Sequence, residues 1–387
     1  MKSVELKKNI YWVGAVDWDL RNFHGYLTQR GSSYNSYLIM DEKIVLIDSV
    51  KHYLYEEMLE RIKQIVDPSK IDYIICNHVE MDHSGCIPKI IKLCPNAILV
   101  TSPQGEKGLK MHYDTTDWNF QIVKSGDAIN IGSRNITFLQ TPMLHWPDNM
   151  VSYIPEEKII FSNDAFGQHI ASSGRFDGEV PYSMLVEEAR KYYANIVLPY
   201  SAQVQKVMVE VKKLDIEMIA TSHGIIWRNH IADIVELYDK WSRNETEKKA
   251  VIIYDTMWES TKKMANAIKD AFEDKDYEIH LYNLQHTHIS DVMTELITAE
   301  YICIGSPTLN SSILPTVAGF LAYLKGLAPK NRKAIAFGSY GWAPLSIKEI
   351  EETLTKAGMD VLASEKINFI PTEVQLKELT NRIKALV

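Results

Sequence analysis

Between residues 77 and 85 the chain reads Asn77-His78-Val79-Glu80-Met81-Asp82-His83-Ser84-Gly85. Two imidazoles and two carboxylates fall close together, directly after the apolar run at residues 71–76. A buried strand that empties into such a loop can aim several side chains at one point. His78, Glu80 and Asp82 alternate and His83 breaks the period, which suits two neighbouring metal ions better than one. Three more polar residues close apolar runs in the same way: His145 after 141–144, Asp164 after 159–163 and His223 after 219–222. One histidine after a strand is ordinarily structural. Several such sites in one region point to a metal centre, and hard oxygen donors mixed with imidazoles suit iron.

A second group of residues lies further along. The loops Asp255-Thr256-Met257-Trp258-Glu259-Ser260-Thr261, Ser306-Pro307-Thr308-Leu309-Asn310 and Ser339-Tyr340-Gly341-Trp342 each follow an apolar run. Hydroxyls and the amides of a helix N-terminus can hold a phosphate without Lys or Arg. Aromatic side chains can flank a planar ring. Each loop also has a plainer reading, since Ser and Thr before a helix are ordinary N-caps and Tyr-Gly-Trp can be packing. Together they mark the ends of the first, third and fourth strands of one repeating pattern. Neither a Gly-rich dinucleotide fingerprint nor a Walker loop is present, which argues against NAD or ATP.

The elements that must position these residues change character near residue 245. Before it, short apolar runs predict strands at 10–16, 36–40, 44–47, 71–76, 98–100, 136–139, 151–154, 159–161 and 216–220, with helices at 54–66, 183–197 and 202–214. Strands with helices between and after them predict two sheets covered by helices. From Lys249 strand and helix alternate regularly. Strands are expected at 251–254, 278–282, 301–305, 334–337 and, weakly, near 361. Helices are expected at 260–272, 291–298, 314–324, 345–356 and 373–386. Five β/α units predict a doubly wound parallel sheet. Residues 241–248 read as helix end plus linker, so the domains are taken as 1–248 and 249–387.

The formal net charge of −8 leaves no electrostatic footprint for nucleic acid or an anionic membrane. No run of apolar residues is long enough to span a bilayer, and the first nine residues lack the apolar stretch of a signal peptide. Four cysteines with no CxxC spacing read as reduced thiols. A cytoplasmic protein is expected.

The pattern His-x-Glu-x-Asp-His followed by a distant His, Asp and His resembles the ligand set of the metallo-β-lactamase-like superfamily, whose fold is an αββα sandwich. The resemblance implies His78, Glu80 and His145 on one metal, Asp82, His83 and His223 on the other, and Asp164 bridging them. Hydrolytic members usually carry His where this chain has Glu80. Four neutral imidazoles, three carboxylates and a bridging hydroxide sum to about −4, so a divalent pair is nearly neutral and a ferric pair about +2. Such a site tolerates both oxidation states of iron and is a weaker Lewis acid than a His-richer zinc pair.

The second region resembles flavodoxin, which implies FMN at Thr256, Met257, Trp258, Glu259, Ser260, Thr261, Ser306, Pro307, Thr308, Leu309, Asn310, Ser339, Tyr340, Gly341 and Trp342. The two domains in this order resemble the flavodiiron proteins across essentially the whole chain, and residues 19–26 are similar to that family's N-terminal segment. One departure is Ala343-Pro344-Leu345, where members often have small residues. No rubredoxin-like CxxC module follows residue 387, so the chain resembles the minimal two-domain class.

The family resemblance implies an oxidoreductase that reduces O2 to water, NO to N2O, or both, at a di-iron centre. Electrons would come through FMN from rubredoxin, a reduced deazaflavin coenzyme or a flavin reductase. It also implies a head-to-tail homodimer or a dimer of dimers. His24 and Tyr193 are candidates for positions just behind the ligands, with packing or surface roles as the alternative. Two other readings stand beside this one: a di-zinc hydrolase with an accessory flavodoxin domain, and a non-enzymatic flavin electron carrier.

Overall fold

The structure, a computed structural model, describes residues 2–387. Its contacts divide the chain into two units. One holds residues up to His24, Thr28–Tyr192 and Ala202–Asp239; the other holds Gly25–Leu27, Tyr193–Ser201 and Lys240–Val387. The helix Ile231–Ser242 and the strand Glu247–Tyr254 leave only residues 243–246 between them, so much of the expected linker is regular structure.

In the first unit a seven-stranded sheet runs in the order Val4–Lys7, Ile10–Trp12, Tyr37–Ile39, Val45–Ile47, Tyr73–Ile75, Ile98–Thr101, Asn119–Ile122. A five-stranded sheet orders Ala128–Asn130, Asn135–Gln140, Met150–Ile154, Ile159–Asn163 and Met218–Thr221. Strand alternation explains the layering. Val45, Ile47, Ile75 and Val100 meet Ile136, Phe138, Ile159 and Phe161 in one core between the sheets. Their neighbours Leu46, Ile74 and Leu99 point the other way, into a second core with Met58, Ile62, Ile87 and Ile90 of the helices Tyr55–Lys63 and Ile87–Leu93. Helix Tyr55–Lys63 places Glu56 and Glu57 in its first turn and Arg61 and Lys63 in its last, matching the helix dipole.

The single strand expected at 10–16 is two, Ile10–Trp12 and Ala15–Asp17. The break is at Gly14, where a Cβ would lie 2.2 Å from the Tyr34 carbonyl oxygen. The helix expected at 183–197 holds its α form over Tyr182–Tyr192, then widens into a π turn at Tyr193–Val197.

The second unit has five parallel strands in the order Glu278–Asn283, Glu247–Tyr254, Ala299–Gly305, Lys333–Tyr340, Asp360–Asn368. This is the doubly wound order 2-1-3-4-5. Ala250, Ile252, Cys303 and Ile335 pack against Met264, Ile268 and Phe272 of helix Ser260–Glu273 and against Leu379 and Ile383 of helix Glu373–Leu386. The alternate residues Val251, Ile253, Ile302 and Ile304 are equally buried, so both faces are covered. The weak strand near 361 is a nine-residue edge strand.

Candidate metal centre and flavin pocket

Each residue of the first group follows a strand of the sandwich, in a loop or, for Asp82 and His83, in a short helix. Asn77 ends the run from Tyr73–Ile75, and its backbone N–H donates to Asp48 Oδ1 at 2.7 Å. The short helix Met81–Ser84 then buries Asp82 and His83 while Met81 faces outward. Asp164 follows strand Ile159–Asn163 and His223 follows Met218–Thr221. After His223 the chain turns at Gly224, with φ of +75°, where a Cβ would collide with Gln168.

The structure brings all seven side chains together in two groups. In the first, His78 Nε2 lies 3.3 Å from Glu80 Oε2 and 3.7 Å from Asp164 Oδ2. His145 Nε2 lies 3.5 and 3.3 Å from the same two oxygens. In the second, His83 Nε2 lies 3.5 Å from Asp82 Oδ1 and 3.1 Å from Asp164 Oδ1. His223 Nε2 lies 3.3 Å from both Asp82 Oδ2 and Asp164 Oδ1. Asp164 thus turns one oxygen to each group.

These separations fit metal coordination. Donors at about 2.1 Å from one ion lie about 3.0–3.4 Å from each other. Both oxygens of Asp82 and of Asp164, and both ring nitrogens of His83, are buried with no hydrogen-bond partner. Such groups are rare in folded proteins, and here they are donors suited to a metal ion. The surroundings fix two tautomers. His223 Nδ1 donates to the Ser33 carbonyl at 2.9 Å, and His78 Nδ1 meets Asp148 Oδ2 at 2.9 Å. In both, the Nε2 lone pair is left for the centre. Asp148 also accepts the Val79 N–H at 2.8 Å. Ser102 donates to its carbonyl at 2.8 Å and caps helix Pro103–His112.

The electrostatics agree. Burial opposes ionisation of Asp164, but the charge of His83 and the imidazoles of His145 and His223 beside it hold its carboxyl well below the usual range. Glu80 is likewise drawn down to about 2, its burial outweighed by hydrogen bonds from His24 and His78. Burial works against a charged His223, yet Asp164 and Asp82 push it up to about 10. The acids favour protons on His78, His83 and His223, and a cation would take the place of those protons.

A cavity of about 580 Å³ opens beside the cluster, lined by His24, Lys51, Tyr53, Glu80, Asp82 and Trp146 among others. His24 Nε2 lies 2.6 Å from Glu80 Oε1, at the back of the candidate ligand. Tyr193 belongs to the other unit and is fully buried, its hydroxyl 3.1 Å from Ser201 Oγ. Asp148 was not anticipated. Its Trp146-Pro147-Asp148 context has no periodic signal, and only its spacing just after His145 marks it.

In the second unit the strand order switches between Glu247–Tyr254 and Ala299–Gly305, where doubly wound folds bind ligands. A cavity of about 290 Å³ lies there. Of the expected residues, Met257, Trp258, Ser260, Pro307, Thr308, Ser339, Tyr340 and Gly341 line it; Phe369 and Ile370 join them unanticipated. These two follow the last strand, whose weak signal hid its end. Thr256 has a buried hydroxyl with no partner beside the helix start at Ser260. The remaining expected residues stand outside the lining. Ser306 Oγ donates to the Pro307 carbonyl and accepts the Leu314 N–H. Thr261 is buried against Ser339. Glu259 pairs outward with Lys262. Leu309 and Asn310 form a tight turn closed on Ser312. Trp342 is 94% exposed.

The pocket fits FMN. Hydroxyls and helix-end amides are available for its phosphate, and Trp258, Tyr340 and Phe369 surround the room for a flat ring.

A buried two-metal site on a β-lactamase-like sandwich, followed by a flavodoxin-like sheet, defines a metal-dependent flavoprotein oxidoreductase. The comparisons agree. The "ODP family beta lactamase" matches residues 33–224, and "Flavodoxin" matches 252–382. The chain is 48% identical to an uncharacterised protein of Methanocaldococcus jannaschii, covering 97% of this chain and 95% of that one. It is 44% identical to the nitric oxide reductase of Moorella thermoacetica, covering 100% and 99%. Among solved structures, the rubredoxin oxygen:oxidoreductase of Desulfovibrio gigas aligns with a TM-score of 0.96 at 40% identity, over 99% and 97% of the two chains. The flavodiiron protein of Giardia intestinalis aligns at 0.97 and 35%, over 100% and 96%. The chain belongs to the flavodiiron protein family.

Proposed function

We propose that this protein reduces O2 to water, NO to N2O, or both. In this reading residues 1–248 would hold an iron pair through His78, Glu80, His145, Asp82, His83 and His223, with Asp164 shared by the two ligand groups. Residues 249–387 carry FMN at the loops after the first, third and fourth strands. The observation that supports it most is Asp164, with one oxygen towards each group of ligands. Iron and FMN, when bound, supply electron storage: two irons and a two-electron flavin hold the four electrons that one O2 needs, or that two rounds of NO coupling need.

The chain's own residues do the rest. Asp148 and the Ser33 carbonyl orient His78 and His223. The cavity beside Glu80 and Asp82 admits a small neutral oxidant. His24 keeps a proton at Glu80 Oε1, close to where oxide products need protons. Similar proteins are named nitric oxide reductase and rubredoxin-oxygen oxidoreductase, which supports both oxidants and a rubredoxin-type donor. A reduced deazaflavin coenzyme and a flavin reductase are the other donors within this reading. The active form is a head-to-tail homodimer or a dimer of dimers. No helix among the described residues is long and apolar enough to cross a membrane. The four free, buried cysteines suit a reducing compartment, and we place the protein in the cytoplasm.

The test uses protein loaded with iron and FMN, reduced without air and mixed separately with O2 and with NO. Rapid multi-turnover consumption of either gas is expected and names the substrate. No consumption of either, with both cofactors confirmed, would overturn the reading in favour of hydrolysis or electron carriage.

A further inference from the structure

Beside the proposed metal centre lie two tyrosines that are not among its ligands, Tyr34 in the core and Tyr53 at the cavity. Strands Ala15–Asp17 and Ser32–Tyr34 form a two-stranded ladder in which Ala15 pairs with Tyr34 and Asp17 with Ser32. This brings a carboxylate and a phenol to the same small ribbon. Tyr34 is fully buried, and its ring meets the ring of His223 edge-on at 5.5 Å between centroids. Its hydroxyl has no partner in hydrogen-bond geometry. Tyr53, in the turn His52–Leu54, is 54% exposed and lines the cavity beside the centre. It donates to Asp17 Oδ2 at 2.5 Å. Asp17 and Tyr34 share one face of the ribbon, so Tyr53, bonded to Asp17, stands beside Tyr34, and the order outward from a candidate ligand is His223, Tyr34, Tyr53, Asp17.

We infer that Tyr34 and Tyr53 form a one-electron escape route from the metal centre, ending on Tyr53 with Asp17 as the proton acceptor. The inference rests on the proposed O2 reduction. With iron bound and donor electrons running short, O2 reduction would need one more electron. Tyr53 supplies it through Tyr34, and the Tyr53 O–H proton passes to Asp17 Oδ2. The centre is reduced by one electron, and Tyr53 becomes a neutral phenoxyl radical. A low-molecular-weight thiol then returns one hydrogen atom to Tyr53, the thiol is oxidised to a thiyl radical, and Asp17 releases its proton to water.

The two rings have different roles for an electrostatic reason. Lys51 Nζ sits 5.1 Å from the Tyr34 ring centroid and 4.7 Å from that of Phe23. A cation over a ring disfavours removing an electron from it. Tyr34 is thus a bridge and not a resting place. Tyr53 has a carboxylate ready for its proton, so its oxidised form is neutral and is not opposed by charge.

The experiment mixes holoprotein, carrying fewer electrons than O2 requires, with O2 and freezes it on the millisecond scale. O2 consumption and the electron paramagnetic resonance spectrum are read from the same reaction, with and without ring-deuterated tyrosine. The expected result is an organic radical that narrows on deuteration, is lost in Tyr53→Phe and is delayed in Tyr34→Phe. Peptide mass spectrometry should place oxidation at Tyr53 when thiol is withheld. O2 consumption without a tyrosine radical, or a radical unchanged in Tyr53→Phe, would overturn the escape route. Absence of O2 consumption itself would instead overturn the functional reading beneath it. Iron content and circular dichroism of each variant separate a rerouted electron from a misfolded protein.

Discussion

The two candidate sites are built on opposite principles. The metal cluster is closed, charged and unsatisfied without a cation: three carboxylates and four imidazoles form two groups whose ligand atoms lie within 4.8 Å of one another, nearly all buried. The flavin pocket is open and uncharged. None of its lining residues is acidic or basic, and Trp258 and Phe369 stand 87% and 63% exposed at its lips. The first site needs its ion to be electrostatically at rest. The second is already at rest and offers surfaces and donors. Ligand removal should therefore destabilise the first unit and leave the second folded.

The largest effect that sharpens this contrast is expected from Asp164→Asn. It removes the carboxylate shared by both groups, so iron content falls and oxidant consumption drops more than ~100-fold, beyond the loss usual for a residue behind a ligand. Metal analysis and flavin absorbance on one sample check it. Retained iron pairs would break the bridging assignment, and lost flavin would break the independence of the sites. Asp148→Asn is milder. It keeps the ligands but weakens the hold on His78, so metal affinity should fall about 10–100-fold in chelator competition with FMN unchanged.

The same contrast explains what could be read from the sequence. The metal residues were legible because a polar residue that ends an apolar run has no cheap structural reason to be there, as with His78 after Tyr73–Ile75 and Asp164 after Ile159–Asn163. The flavin loops were legible only as a set. Phe369 and Ile370 were missed because Asp360–Asn368 is an edge strand whose residues are mostly half-buried, so its composition carries no continuous apolar run. Helices Ile87–Leu93 and Pro103–His112 escaped for a related reason. One is barely two turns with Pro88 at its start, and the other holds Gly105 and Gly108, so neither shows a clean helical period. Helix position in both is fixed by tertiary contacts: Gly108 lets the helix close on Val79, whose side chain a Cβ would meet at 2.9 Å.

On the flavin side the expected effects are smaller and of another kind. Trp258→Ala removes an exposed ring and should leave the stability of flavin-free protein unchanged. It should weaken FMN binding by roughly fivefold, the scale of ~1 kcal/mol for ring stacking. Fluorescence titration with FMN and denaturant unfolding of the flavin-free protein read the two quantities. A loss of stability without FMN would mean that the tryptophan packs against the protein and not against a ligand. Because no cation lines the pocket, FMN affinity should also change little between low and high salt, where a Lys- or Arg-held phosphate would lose affinity steeply. A steep salt dependence would show that a basic residue outside the present lining closes on the phosphate.

The last effect concerns acid. In the first unit Asp41 ties the turn after Tyr37–Ile39 to the turn before Asn135–Gln140, and so ties one sheet of the sandwich to the other. Burial opposes its ionisation, but it accepts from the Ser133 N–H at 3.0 Å and hydroxyl at 2.7 Å and from Arg134 at 3.0 Å, which bring it down to about 2. A carboxyl depressed on folding stabilises the protein above its unfolded value near 4, and that stabilisation fades as pH falls from there through about 2. Asp41→Asn should therefore lower stability by about 1–2 kcal/mol at pH 7, allowing for solvent screening, and the difference should shrink below pH 4. Denaturant midpoints from pH 3 to 7, followed by tryptophan signal and separately by flavin release, measure it. A shift in the first with none in the second means that the sandwich gives way to acid on its own, because the pocket in the second unit has no lining carboxylate to protonate. Equal shifts would mean that the two sites, so unlike in charge, nevertheless unfold as one.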